Sequence, residues 1–169
     1  MSRLAEISPT EISDNPIESI GKQWMLIVAG TPERHNCMTA SWGALGELWF
    51  KSVAFCFVRP GRHTFGFMEA NDAFTLCFFE EAYREKLNFC GTRSGRDVDK
   101  AGECGFTPVP SGHGGVYFDE ARLVLECRKI YSQDLDPSRF LDEAIAECYP
   151  DGDYHRLFVG EIVRALVRG

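Results

Sequence analysis

The chain has 169 residues, with 18 basic and 25 acidic side chains and a formal net charge of −7. That length suits one domain, residues 1–169, with its own hydrophobic core, and an apolar fraction of 44% excludes a long disordered chain. The acidic balance argues against general affinity for nucleic acid or anionic membranes, and no apolar run approaches a membrane span.

Residues 1–20 are polar, carry Pro9 and Pro16, and read as a lead-in arm without the apolar core of a signal peptide. Lys22–Gly30 holds the apolar run Trp24–Ala29 and predicts a strand. Thr31-Pro32-Glu33-Arg34 is a turn, Asn36–Trp42 the return strand, and Gly43–Glu47 a looser connector. Ser52–Val58 predicts a further strand, broken by Pro60-Gly61, and His63–Ala70 suits a short helix. Ala73–Phe79 is β-branched and aromatic, as strands are. Glu80–Cys90 reads as a helix, because Tyr83, Leu87 and Cys90 fall on one face, and Gly91 is its stop. Asp97–Glu103 predicts a second short helix, and the Pro- and Gly-rich stretch 108–115 a flexible loop. Val116–Phe118 and Ala121–Tyr131 follow as strands, then a helical stripe near 138–148, then the closing strand His155–Val167. Several strands joined by short helices, without βαβ rhythm, predict a mainly β fold, an antiparallel barrel with peripheral helices.

Seven cysteines stand at 37, 56, 77, 90, 104, 127 and 148. Their number is odd, no pair is spaced CxxC, and most lie in apolar runs. Buried reduced thiols are expected, hence a reducing, cytoplasmic setting. His35, Cys37, His63, His113 and His155 lack structural-zinc spacing, so no metal site is expected.

Three segments and one histidine carry the chemistry. In Asn36-Cys37-Met38-Thr39-Ala40-Ser41-Trp42-Gly43, Thr39 and Ser41 share one strand face. The segment reads either as an ordinary strand with a polar outer face or as a wall for a flat ring. Arg59-Pro60-Gly61-Arg62-His63-Thr64 sets two arginines and a threonine at a strand-to-helix junction. Free N–H groups and the helix dipole suit a phosphate there, while a solvated basic turn with Thr64 as cap fits equally. Gly91–Lys100 is a Gly/Ser loop with three basic residues and no Walker A order; it is either a donor loop or a charged surface loop. His155 either reaches a cofactor or is a surface histidine. Together, tryptophan, hydroxyls and arginines suit a ligand with a flat aromatic body and an anionic tail.

In this order the motifs resemble those of the flavin reductase-like FMN-binding split-barrel family, over about Ile20 to Ile162. Asn36-x-Met38-Thr39-x-Ser41-Trp42 is similar to the family's flavin-edge motif, and Arg59-Pro60-x-Arg62-x-Thr64 to its flavin and phosphate element. Cys90-Gly91-x-x-Ser94-Gly95-x-Asp97-x-Asp99-Lys100 is similar to its later flavin loop, and Asp153–Ile162 to its closing strand. The resemblance implies an antiparallel split β-barrel binding FMN, as a homodimer with the flavin near the interface. It implies that Asn36, Met38, Thr39, Ala40, Ser41 and Trp42 line the isoalloxazine or its side chain. Arg59, Arg62, His63 and Thr64 would hold the ribityl phosphate, Ser94, Gly95 and Lys100 the ring edge or phosphate, and His155 the catalytic position near the flavin. The implied activity is hydride transfer from NAD(P)H to the flavin, with onward delivery to a small-molecule or protein acceptor. The alternatives are a non-catalytic FMN electron carrier of the flavoredoxin-like branch, or a flavin-free binding protein on the same barrel.

Overall fold

The longest apolar runs of the chain become its central strands; the computed structural model describes residues 3–169. In chain order the elements are β1 (Leu4–Ile7), α1 (Pro16–Glu18), β2 (Met25–Gly30), β3 (His35–Ala40), β4 (Gly43–Leu48) and β5 (Lys51–Val58). Then come α2 (His63–Ala70), β6 (Ala73–Phe78), α3 (Arg84–Thr92), α4 (Lys100–Cys104), β7 (Pro108–Pro110), β8 (Val116–Phe118), β9 (Leu123–Asp134) and β10 (Arg156–Arg168). The main sheet runs β3-β2-β6-β9-β10-β5-β4, with β1 paired to β10 and every ladder antiparallel.

The fold is thus mainly β, antiparallel, with short peripheral helices, as the sequence predicts. Its ladder is open. β3 and β4 are the two ends of the strand order, and no pairing joins them among the described residues, so hydrogen bonds do not close the sheet into a barrel.

Every residue of β2 and β6 is buried, because both faces of these strands are covered. Met25, Ile27 and Ala29 face a core shared with Ala54, Cys56, Met68 and Phe158. Leu26 and Val28 face a second core with Leu87, Cys90, Ala101 and Phe118, under α3 and α4. β10 is irregular between Val159 and Gly160 and again between Ile162 and Arg164, and such bulges let a long strand bend around the core.

Four segments differ from the expectations. The arm is built in: β1 pairs with β10, and α1 continues into a π-helical turn over Ser19–Gln23, so the strand expected from Lys22 begins at Met25 as β2. The expected connector after Trp42 is strand β4, missed because GALGEL has little β-propensity, yet all six of its residues pair with β5 over Lys51–Cys56. The expected flexible loop at 108–115 contains β7, half of a hairpin with β8. The expected helical stripe is a 3₁₀ segment, Glu143–Cys148, with Leu141 wholly exposed beside it, so its apolar spacing does not mark a packed face. Six cysteines are buried and Cys148 is exposed. No helix among the described residues is long and apolar enough to cross a membrane. Among those residues no group of His, Cys, Asp and Glu side chains is arranged to hold a metal ion.

Candidate functional site

The end of β3, the β5–α2 junction, the end of α3 and the segment entering β10 meet at one edge of the sheet. Met38, Thr39, Ala40, Ser41 and Trp42 form one side of a cleft of about 220 Å³, and Phe57, Arg59, Arg62, Gly91 and His155 the other. A second hollow of about 230 Å³ shares Arg62 and is lined by His63, Thr64, Ser94, Gly95, Arg96 and Lys100, among others. Of the residues singled out in the sequence, only Asn36 lines neither. It stands behind them, donating from Nδ2 to the Thr64 hydroxyl at 2.8 Å. Gly95 packs so closely on Asn36 that a Cβ there would sit 1.9 Å from its Oδ1.

The period of β3 assigns its side chains. Met38 and Ala40 belong to the core, whereas Thr39 faces α3 and donates its hydroxyl to the Leu87 carbonyl. The Ser41 hydroxyl has no hydrogen-bond partner among the described residues. Trp42 is exposed, its ring 5.2 Å from that of His155.

His155 is buried, not a surface residue. Its Nδ1 shares a 2.8 Å hydrogen bond with the Tyr149 hydroxyl, and Phe57 stands edge-on to it at 6.4 Å. Burial lowers its pKa to about 4, with help from Arg59 and Arg62, so the ring is neutral near neutral pH.

The cations divide into two sets. Arg59 is engaged within the protein: Nη1 donates to Asp153 at 2.6 Å, Nη2 to the Cys148 carbonyl at 2.9 Å, and the guanidinium lies 5.0 Å over the Tyr149 ring. It fixes the loop before β10. Lys100 is buried, and Nζ donates to the carbonyls of Cys37 and Cys90 at 2.9 and 2.8 Å, tying β3 to α3 from behind the cleft. Arg62 donates to the Gly91 carbonyl at 2.9 Å and Arg96 to the Gly61 carbonyl at 3.2 Å. Among the described residues Arg62, Arg93, Arg96 and Lys100 make no ion pair, whereas Arg59, Arg156 and Arg164 do. Their field is felt at His63, whose pKa is lowered by burial and then by Arg96, Lys100 and Arg34. An acidic protein therefore keeps a local concentration of unneutralised positive charge, the complement of an anion.

Phe57, Gly91, Arg96, Tyr149 and Asp153 belong to the site as well. Phe57 was legible as the strand neighbour two before Arg59, on the same face. Tyr149 and Asp153 carried no local signal, because their partner Arg59 is 94 positions away from Asp153. A further hollow of about 380 Å³, near Asp14, Glu18 and Arg122, shares no lining residue with the cleft.

The family profile described as "Flavin reductase like domain" matches residues 17–169. No curated protein matches the chain. Among solved structures, an FMN-binding domain of a flavin reductases-like enzyme from Shewanella baltica OS155 is 17% identical, with 99% of this chain and 78% of that chain covered and a TM-score of 0.71. Flavoredoxin from Methanosarcina acetivorans is 24% identical, with 85% and 67% covered and a TM-score of 0.66. An FMN-binding protein from Thermus thermophilus is 21% identical, with 84% and 68% covered and a TM-score of 0.66. At these identities the structures share the fold. The profile spans nearly the whole chain and so carries the assignment: the chain belongs to the flavin reductase-like domain family.

Proposed function

We propose that the cleft holds FMN and that the protein is an FMN electron carrier of the flavoredoxin kind. The observation that carries this reading is the junction at Arg62 of a narrow aromatic cleft with a hollow whose cations lack carboxylate partners. A flat ring bearing a phosphate tail has that division of chemistry. The residues fit it. Trp42 offers a flat wall, Ser41 a hydroxyl free to bond a ring heteroatom, and Arg62, Arg96, Thr64 and Ser94 surround the phosphate position beside the first turn of α2. Bound FMN supplies reversible one- or two-electron chemistry, which the protein tunes but does not perform.

The remaining residues hold that site in shape. Arg59 clamps the loop carrying Asp153 and Tyr149, and Tyr149 holds His155 against Trp42. Asn36 orients Thr64, and Lys100 sets the spacing between β3 and α3. Neutral near neutral pH and fixed by Tyr149 beside Trp42, His155 acts as a wall of the ring cleft. We infer that a second copy of the chain covers the apolar sheet face continuous with Trp42. The second reading, NAD(P)H-dependent flavin reduction serving a small-molecule or protein acceptor, draws on the exposure of Trp42 at the cleft mouth. NADH and NADPH oxidation with added FMN separates the two.

FMN titration of the apoprotein is expected to shift the flavin spectrum and raise the melting temperature. Arg62→Ala should weaken FMN by about 1.5–3 kcal/mol, the worth of a charge-assisted phosphate contact, and leave riboflavin nearly unaffected. No spectral change and no thermal shift would remove FMN from the cleft.

A further inference from the structure

Three of the seven cysteines meet in the second core, although they come from three elements. Cys37 lies on β3, Cys90 on α3 and Cys104 on α4. The sulfurs of Cys37 and Cys90 stand 3.8 Å apart, and those of Cys90 and Cys104 3.7 Å apart. Cys56, Cys77 and Cys127 are also buried, but none of them is hydrogen-bonded to another thiol among the described residues. Sulfurs already in contact need a further approach of less than about 2 Å to reach the bond length of a disulfide.

Two features separate this cluster from inert buried thiols. The first is Lys100. Its ammonium donates to the carbonyls of Cys37 and Cys90, the two residues whose sulfurs touch. It is buried, it pairs with no carboxylate among the described residues, and its charge acts on all three thiols. The nucleophile in thiol oxidation is the thiolate, which a neighbouring lysine stabilises. A thiolate here also supplies the opposite charge that a buried ammonium needs. The second feature is access. Cys37 lines a hollow of about 470 Å³ together with Asn36, Gly95 and Lys100, and neither Cys90 nor Cys104 lines it. Cys37 also lies on an end strand of the ladder, where local opening is easier than at the centre. Contact with Cys37, then burial, push the Cys90 thiol up, and burial pushes the Cys104 thiol up to about 12. Both therefore stay protonated near neutral pH and suit the role of partner, not of first nucleophile.

We propose that Cys37 and Cys90 form a modification site, a dithiol that a hydroperoxide closes to a disulfide. The Cys37 thiolate attacks one oxygen of the hydroperoxide and the O–O bond breaks. The leaving oxygen takes up the proton that Cys37 released and departs as water or an alcohol, and Cys37 is left as a sulfenic acid. The Cys90 sulfur then displaces the hydroxyl group: the S–S bond forms, the S–O bond breaks, and the Cys90 proton leaves with the hydroxyl as water. The two thiols together lose two electrons, and the peroxide bond gains them. The residues next in the chain, Met38 and Gly91, line opposite sides of the cleft, so the bond would tie those two sides together from behind.

The test uses the full-length protein without added flavin, so it is independent of the flavin reading, in a Cys148→Ser background that removes the exposed thiol. Hydrogen peroxide is added to the folded protein, remaining thiols are alkylated under denaturing conditions, and the peptides are mapped by mass spectrometry. The expected result is a Cys37–Cys90 cross-link with loss of two free thiols, reversed by dithiothreitol, while Cys56, Cys77 and Cys127 stay reduced. Cys90→Ala should stop the cross-link and leave Cys37 as a sulfenic acid captured by dimedone, and Cys37→Ala should give neither product. Lys100→Met should slow cross-linking at least tenfold. Where a core variant does not fold, the map of the Cys148→Ser protein decides alone. No cross-link, a cross-link of Cys90 to Cys104 alone, or equal oxidation of Cys56, Cys77 and Cys127 would overturn the site.

Discussion

At the scale of single residues, His155 couples the site to stability. Its pKa in the folded protein is about 4, against 6.5 for an ordinary histidine, so between those values the unfolded chain binds more protons than the folded one. Stability is therefore complete above pH 6.5 and is lost as pH falls toward 4, by up to about 1.4 kcal/mol per pH unit and about 3 kcal/mol in all. Thermal melts from pH 7.5 to 4 should show this slope in the native protein and a flatter one in His155→Gln; equal slopes would mean that the imidazole is not held neutral by its surroundings. His63 tests the neighbouring field from the other side. Arg96, Lys100 and Arg34 help depress its pKa, and a bound phosphate should raise it again by stabilising the imidazolium. FMN affinity should then increase as pH falls through the window between the free and bound values, and ¹H–¹⁵N spectra of the ring should show an upward shift on adding FMN but none on adding riboflavin. The residue types of the site were legible in the sequence; their partners were not. The resemblance implies Arg59 as a phosphate ligand, and its guanidinium is bound to Asp153; it implies Lys100 at the ring edge or phosphate, and its ammonium is held by two backbone carbonyls. Such pairings depend on strand order, which no local pattern encodes.

At the scale of elements, the turn between β4 and β5 stands out. Trp49 and Phe50 occupy its centre with φ of 53° and 58°. Both are left-handed, the conformation of a tight hairpin turn that favours Asn-Gly, and each costs a bulky L-residue about 1–2 kcal/mol. Replacing them together, Trp49→Asn with Phe50→Gly, should stabilise the isolated chain by about 1 kcal/mol in urea unfolding, even after losing the Trp49–Tyr131 edge contact. Gly160 predicts the opposite sign. A Cβ there would stand 2.6 Å from the Phe74 ring and 2.7 Å from Cys127, so Gly160→Ala should destabilise by about 1–3 kcal/mol through overpacking. β2, β5 and β6 were legible because both faces are apolar or nearly so, which leaves long hydrophobic runs. β4 was not, because its pairing is made by backbone groups and its side chains are mostly small. The 138–148 stripe misled for the converse reason: its period of apolar residues is helical, but Leu141 packs against nothing in the chain.

At the scale of the whole molecule, one sheet face is covered only in part. Ala44, Phe55, Val159 and Tyr131 are cross-strand neighbours in one row over β4, β5, β10 and β9, and Phe57 pairs with Leu157 in the next row of the same face. The residues between them, Ala54, Cys56 and Phe158, point into the core, whereas Phe55, Phe57, Leu157 and Val159 belong to neither core cluster. Trp42 borders this face at the cleft end, and Trp49 and Phe50 at the other, with Phe50 99% exposed. The exposed Trp42, Tyr131, Trp49 and Phe50 rim this apolar face, an arrangement that marks an interface, and of its charges Lys51 and Arg128 both pair with Glu161, which leaves one positive charge. A mostly apolar surface with so little charge, running up to the cleft, suits a second copy of the chain, which would then form part of the flavin cleft. Light scattering across a dilution series should give a dimer. Trp49→Asn with Phe50→Gly makes the sharper measurement, because its two effects have opposite signs: the hairpin gains intrinsic stability while the interface loses aromatic area. Dimer dissociation should move to higher protein concentration in this variant, and FMN should weaken in step with the loss of dimer. A native protein of single-chain mass carrying stoichiometric FMN would show that the face does not complete the cleft, and the strain at Trp49 and Phe50 would then need another cause.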